Sequence, residues 1–271
     1  MKRRPLALGL LALAALFVLP QLWLVSLSLK TSAAVYEFPP RLIPKQPSLQ
    51  NFAFVLEKTQ IPVYLWNSVR VAFFATVVTL GLGLPAAYVI SRERFSTREA
   101  VYRWLMIAQM VSAIVLLVPI YAVVGALGLL DTQAGIVLVY SAIQLPFTIT
   151  VLAGFFDAVP KALFEAALLD GASRFRTLTR IALPLIGPGL AATAIFNLAA
   201  YWSEFGLALV LLDSQQRFTI PVGLFSLQSG YETEWQIVAA ASLIGILPVM
   251  AMFVFLQRYF VAGLTAGAVK G

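Results

Sequence analysis

The chain contains no cysteine and no histidine. Disulfides, thiolate nucleophiles, zinc sites of the usual kind and histidine acid–base catalysis are therefore excluded. Charge is scarce as well: 11% of the residues are charged, and only 12 of 271 are acidic. Without His or Cys there is no plausible nucleophile–base set, so no catalytic residue is nominated. No Gly-x-x-x-x-Gly-Lys-Ser/Thr phosphate loop occurs, which excludes a P-loop ATPase.

What is present is apolar. Hydrophobic residues make up 61% of the sequence, and the mean hydropathy is +0.89. One soluble core cannot hide that much apolar surface, so lipid must be the solvent for much of the chain. The net charge is +7. In a soluble protein this would raise nucleic acid as a partner. Here no basic module survives outside the apolar runs, so nucleic acid is set aside and the charge is read as topological.

Six runs are long enough to cross a bilayer, for which about 20 helical residues suffice. They are 6–29, 71–91, 104–130, 132–156, a run from about 181 to 212, and 235–257. Only the fifth carries an acid, Glu204. Alternating segments of a β-barrel are absent. Lys2, Arg3 and Arg4 before the first run resemble a signal peptide. That run has 24 residues, whereas a signal h-region has about 7–15, so a retained first helix is expected. With the N-terminus inside, thirteen Lys/Arg fall on inner segments and five on outer ones. This bias predicts both termini on the cytoplasmic side. Gly81, Gly83, Pro85, Pro119, Pro146, Pro188 and Pro248 fall inside runs. Two readings stand for them: ordinary irregularity of membrane helices, or helices built to line a path and move.

Between the fourth and fifth runs lies EAALLDGASRFRTLTRIALPL, Glu165–Leu185. Pro160 can open a helix there. Leu163, Phe164, Ala167 and Leu168 make one apolar face. Asp170-Gly171 reads as a stop, because glycine accepts the left-handed conformation. Ser173 can cap a second helix, with Phe175, Leu178 and Ile181 on one side and Arg174, Arg176 and Arg180 largely on the other. Two short amphipathic helices are more than a connection needs. From the residues alone, an interfacial helix on lipid headgroups and a docking element are both open.

The spacing Glu165-Ala166-Ala167, Gly171, Ile181, Leu183, Pro184 resembles the EAA signature of ABC importer permeases. Three further stretches resemble the carbohydrate-uptake group, and within it the MalG type of the maltose importer. They are LEKTQIPVYLWNS (56–68), YWSEFGLAL (201–209) and the tail QRYFVAGLTAGAVKG (257–271). In the second of these, Ser203 stands where the family commonly has Asn.

The resemblance implies an all-α integral membrane protein of the type I ABC importer permease (MetI/MalG-like) fold, a single domain over 1–271. Its six spans would lie at about 6–29, 68–91, 104–128, 133–156, 185–211 and 236–257, with a cytoplasmic coupling loop at 158–182. It implies that Glu165, Ala166, Ala167, Asp170, Gly171, Ala172, Arg174, Leu183 and Pro184 dock on a cytoplasmic ATPase. It implies that Gly263, Leu264, Thr265, Ala266 and Gly267 reach toward that ATPase. The implied partners are a second, homologous permease in a heterodimer, two ATPase subunits that bind ATP and Mg, an extracytoplasmic sugar-binding protein, and the lipid of the bacterial inner membrane. This chain would hold no cofactor and no metal. The implied cargo is a di- or oligosaccharide of the maltose/trehalose kind. The alternatives are glycerol phosphate or another polyol in the same role, or an ion-coupled secondary transporter.

Asn197, Tyr201, Trp202, Ser203 and Glu204 are candidates for a pore or gate. An acid near mid-membrane costs about 2.5–3.5 kcal/mol on insertion scales, so something must compensate. Glu204 either faces a path or the partner permease, or makes an inter-helix hydrogen bond, with Asn197 on the same helix face as one partner. Tyr201 and Trp202 are read as packing or as stacking platforms for a sugar. Arg70 is read as an interfacial anchor.

Overall fold

In hydrocarbon no water pairs the backbone, and a helix closes its hydrogen bonds within one segment. The computed structural model describes the backbone of residues 3–93, 95–228 and 233–268, and side chains at 13, 15–93, 95–167, 169–228 and 233–254. Among the described residues all regular structure is helical. In chain order the helices are α1 (Arg3–Ser28), α2 (Ser32–Val35), α3 (Gln50–Lys58), α4 (Ile61–Arg92), α5 (Arg98–Met110), α6 (Leu117–Ala126) and α7 (Gln133–Ala158). They continue as α8 (Lys161–Leu169), α9 (Arg174–Thr177), α10 (Leu183–Leu185), α11 (Gly187–Ser203), α12 (Gly206–Leu211), α13 (Ile220–Ser226) and α14 (Trp235–Ala268). A π-helical turn, Leu178–Ala182, joins α9 to α10.

Among the described residues, three helices are long and apolar enough to cross a membrane: Ile61–Arg92, Gln133–Ala158 and Trp235–Val254. A fourth is added if Arg174–Leu185 and Gly187–Ser203, bent by 81°, count as one span. Six uninterrupted spans are therefore not shown. The run at 104–130 is divided between α5 and α6, with 111–116 outside both. Pro119 falls in the first turn of α6, where its missing N–H has no intrahelical partner to lose. The run at 185–211 is divided between α11 and α12, where Glu204 is extended (φ −70°, ψ 124°).

The chain forms two compact units, 1–66 with 219–248, and 67–218 with 249–271. In the first unit, the Asn51 side-chain amide donates to the carbonyls of Ser28 (2.7 Å) and Lys30 (2.8 Å). That ties α3 to the end of α1. Lys30 is buried, its ammonium 4.6 Å from the Trp23 ring centroid.

In the second unit the core joins the C-terminal halves of α4 and α7 to α8. Ala87, Leu152, Ala153 and Phe156 are fully buried beside Tyr88 and Phe164. Truncating a buried phenylalanine of this kind costs about 3–5 kcal/mol. Gly189 on α11 marks a close approach: a Cβ there would lie 2.4 Å from the Phe155 ring.

At the opposite end of α7, Asp131 adopts a left-handed φ of 52°. Its carboxylate accepts from the amides of Asp213 and Ser214 (both 3.0 Å) and from the Ser214 hydroxyl (2.5 Å). Arg217 pairs with it at 3.0 Å. The Asn67 amide donates to the carbonyls of Gln216 (2.8 Å) and Phe218 (3.0 Å), pinning the same segment. Burial pushes Asp131 up, but Ser214, Asp213 and Arg217 outweigh it and hold the carboxyl below the usual range. A depressed carboxyl stabilises the fold above its unfolded pKa of about 4, and that contribution is lost as pH falls through the folded value. Asn tolerates the left-handed backbone. Asp131→Asn is therefore expected to cost about 1 kcal/mol at pH 7 in thermal unfolding in detergent, with the gap from wild type closing below about pH 4.

Candidate functional site

The segment that follows α7 is two helices set by a glycine turn. Gly171 has φ +78°, where a side chain would be strained. The Ala172 amide bonds the Ala167 carbonyl at 3.0 Å and the Asp170 amide bonds the Ala166 carbonyl at 2.9 Å. The first is the 6→1 bond of a Schellman-type C-terminus, and the second is a regular helix bond one turn back. The Ser173 hydroxyl then accepts from the Arg176 amide at 3.3 Å and caps α9. The turn leaves Glu165, Ala166 and Asp170 exposed, while Ala167 is buried and Phe164 is buried against the α4 and α7 ends. Leu169 is 89% and Phe175 75% exposed, so two large apolar side chains stand off the segment. The expected apolar faces differ in this respect: Leu163 and Phe175 are exposed, and Leu178 is buried on its own side. Leu168 lies outside the residues whose side chains are described.

The last turn of α4 grips this segment. The Ser91 hydroxyl donates to Asp157 at 2.5 Å. Arg92 donates to the carbonyls of Phe156 and of Val159, the latter at 2.8 Å. Its guanidinium lies 4.1 Å from the Phe164 ring centroid. Glu93 pairs with Arg174 at 3.2 Å. Ser91, Arg92, Glu93, Phe164 and Arg174, with Lys161 and Glu165, line a cavity of about 540 Å³.

A second cluster surrounds the break between α11 and α12. The Glu204 carboxylate accepts from the amides of Leu207 (2.8 Å) and Ala208 (3.2 Å). The carboxyl oxygens of Glu204 therefore sit at the N-terminal end of α12, on amides that have no intrahelical partner. The Tyr140 hydroxyl donates to the same carboxylate at 2.6 Å. Tyr140 stacks on Tyr201 with centroids 5.5 Å apart. The hydroxyls of Tyr201 and Thr79 are 2.7 Å apart. Thr79 spends its own hydrogen on the Ala75 carbonyl at 2.7 Å, so Tyr201 is the donor in that pair.

The model of the binding-protein-dependent transport system inner membrane component family matches residues 79–265. The chain belongs to that family. It is 35% identical over 254 residues to the diacetylchitobiose uptake system permease protein DasC of Streptomyces coelicolor, covering 94% of this chain and 92% of the relative. It is 34% identical over 274 residues to the trehalose/maltose transport system permease protein MalG of Thermococcus litoralis, covering 100% of this chain and 98% of the relative. Among solved structures, a bacterial ABC transporter involved in the import of the acidic polysaccharide alginate gives a TM-score of 0.82 at 24% identity, covering 94% of each chain. The chain is thus an ABC transporter permease of the carbohydrate-uptake kind, with the all-α type I importer fold. It is a transport subunit rather than an enzyme.

In this permease the sequence-nominated residues divide between the two clusters. Glu165, Ala166, Ala167, Asp170, Gly171, Ala172 and Arg174 lie together on the helix–turn–helix. Leu183 and Pro184 lie in α10, beyond the π-helical turn. Tyr201, Ser203 and Glu204 lie at the α11–α12 break, but Asn197 is not a partner of Glu204. It is fully buried and bonded to Thr148 at 3.0 Å. Tyr140 takes the place expected of Asn197, because the break carries the Glu204 carboxylate off the α11 face that Asn197 occupies. Tyr201 and Trp202 are both buried, and Tyr140 covers a face of Tyr201, an arrangement of packed rather than free rings. Ser203 is exposed, with its hydroxyl on the Ala199 carbonyl at 3.0 Å. Arg70 is exposed on α4. The side chains of Gly263, Leu264, Thr265, Ala266 and Gly267 lie outside the described residues. Sequence reading missed Arg92 and Glu93, which counted only as charge beyond a span, and Tyr140, which looked like one aromatic among many.

Gly171→Ala is expected to cost about 1–2 kcal/mol through the left-handed backbone. It should raise hydrogen exchange over 166–176 in detergent, with Gly171→Asn milder. Glu204→Ala removes the acceptor of two amides and one hydroxyl, and should cost about 2–5 kcal/mol in thermal unfolding. Tyr140→Phe should cost about 1 kcal/mol.

Proposed function

We propose that this permease is one half of the translocation path of an ATP-driven sugar importer in a bacterial inner membrane, working by alternating access. Both termini face the cytoplasm, as the thirteen-to-five charge bias supports. A second, homologous permease completes the path, and an extracytoplasmic binding protein delivers the sugar to the outer loops, 30–62 and 213–234. The segment 158–182 seats on one of two ATPase subunits, which bind ATP and Mg. The observation that carries this is the glycine-turned helix pair with exposed Glu165, Leu169 and Phe175. It presents a carboxylate for a basic group and two apolar side chains for a cleft. Small Ala166 allows close approach, and closure of the ATPases would push on the bundle through this contact.

The cargo is a di- or oligosaccharide. The names of the two relatives, one for diacetylchitobiose and one for trehalose/maltose, support a sugar without choosing one. Coexpressed with its partner subunits, the wild-type chain is expected to copurify with the ATPase in mild detergent. Gly171→Pro, still inserted and folded, should reduce recovery of the ATPase at least about tenfold, a loss of about 1.4 kcal/mol in binding. In proteoliposomes at least one of labelled maltose, trehalose and diacetylchitobiose should be imported only with ATP. Import driven by an ion gradient without the ATPase would overturn the reading in favour of a secondary transporter.

A further inference from the structure

We infer that the coupling route from the docking segment to the Glu204 cluster runs through α4, with Arg92 as the positioning residue that fastens it. This rests on the proposed docking of segment 158–182 on an ATPase. On the N-terminal side of the segment α7 runs unbroken to Tyr140, and its C-terminal end is the part that α4 fastens. The route along the chain on the C-terminal side is interrupted. It passes the π-helical turn Leu178–Ala182 and then an 81° bend before α11 begins. Neither interruption is a continuous helix, and a π-helical turn of this kind is frequent at functional sites.

The route through α4 is stiff at both ends. From Tyr88 to Glu93, one residue past the helix, four side chains hold the end of α7, Phe164 of α8 and Arg174 of α9. Tyr88 packs on Phe156 and Phe164 with centroids 5.6 and 6.1 Å away. Ser91 holds Asp157 at 2.5 Å and Glu93 holds Arg174 at 3.2 Å. Arg92 makes the largest set: two carbonyls at the C-terminal end of α7 and the face of Phe164 on α8. A guanidinium suits all three, since it satisfies C-terminal carbonyls, opposes the negative end of the helix and stacks on a ring. Its Nε and Nη1 are buried without a hydrogen-bond partner, so the ring and the two carbonyls are what hold it.

At the other end, α4 carries Thr79, thirteen residues or about 20 Å along the helix from Arg92. Thr79 bonds Tyr201, which stacks on Tyr140, which bonds Glu204. Gly81, Gly83 and Pro85 lie between the two ends without ending the helix. A displaced docking segment therefore drags α4, and α4 drags the aromatic pair that holds the broken helix.

The test uses the whole transporter in proteoliposomes, with maltose, trehalose and diacetylchitobiose as probes. Arg92→Met keeps a flexible apolar stem that still packs on Phe164, and Arg92→Lys keeps the charge but cannot hold both carbonyls and the ring. Both should copurify with the ATPase as wild type does. ATP hydrolysed per disaccharide imported should rise at least about tenfold for Met and about threefold for Lys. A merely structural role would lower hydrolysis and import together and leave their ratio unchanged, and an unchanged ratio in a fully assembled Arg92→Lys complex overturns the inference alone. Failure of wild type to bind the ATPase, or to import any of the three sugars with ATP, overturns the proposed function and the inference with it.

Discussion

The hydrogen bonds from Leu207 and Ala208 to Glu204 show the constraint on which the rest of the structure depends. Inside a bilayer an unpaired N–H or C=O costs several kcal/mol, so the groups freed where a helix is interrupted need other partners, and a side chain is one source of them. Glu204 does this at the α11–α12 break, and one carboxylate answers both problems of that site. It satisfies orphan amides, and the amides with Tyr140 compensate an acid in an apolar run. Arg92 does the converse at the end of α7, donating to the carbonyl of Val159 just past the helix and to that of Phe156, which also accepts from the Val159 amide. Thr132 and Ser173 cap α7 and α9 in the same way at smaller scale.

Those covered interruptions also divide rigid from yielding elements. α4 and α7 are long and continuous, and their C-terminal ends share one core with α8. Between α9 and α12 the chain is interrupted repeatedly: by a π-helical turn, a three-residue helix, a bend and the break at Glu204. A helix pair with a glycine turn, anchored by Phe164 and Ala167 but exposing Glu165, Leu169 and Phe175, is placed at the junction of the two kinds. Such a part is firm underneath and free on top, as a seat for a moving partner has to be.

Membership of the binding-protein-dependent permease family accounts for the spacing of that turn, and the local physics accounts for its residue types. Gly171 is needed because φ is +78°. Ser173 is needed because α9 begins without another cap. Ala167 is small because it is buried against its neighbours, whereas Ala166 faces outward.

The sequence by itself determined the helical class, the lipid solvent, the turn at Gly171, the cap at Ser173 and the family. Each of these is a local or compositional property, readable from hydropathy, from spacing, or from a residue that only one conformation favours. Tertiary structure alone decided the rest. Runs at 104–130 and 185–211 have the composition of spans, and composition does not say where a helix will stop. Glu204 marks a stop only once its neighbours are in place. The partner of Glu204 is Tyr140, 64 positions away, and not Asn197 on the same run. Arg92 and Glu93 look like charge left beyond the membrane until the ends of α7, α8 and α9 close around them. A side chain's partner is set by which helix ends meet, and in this chain those meetings join residues far apart in sequence.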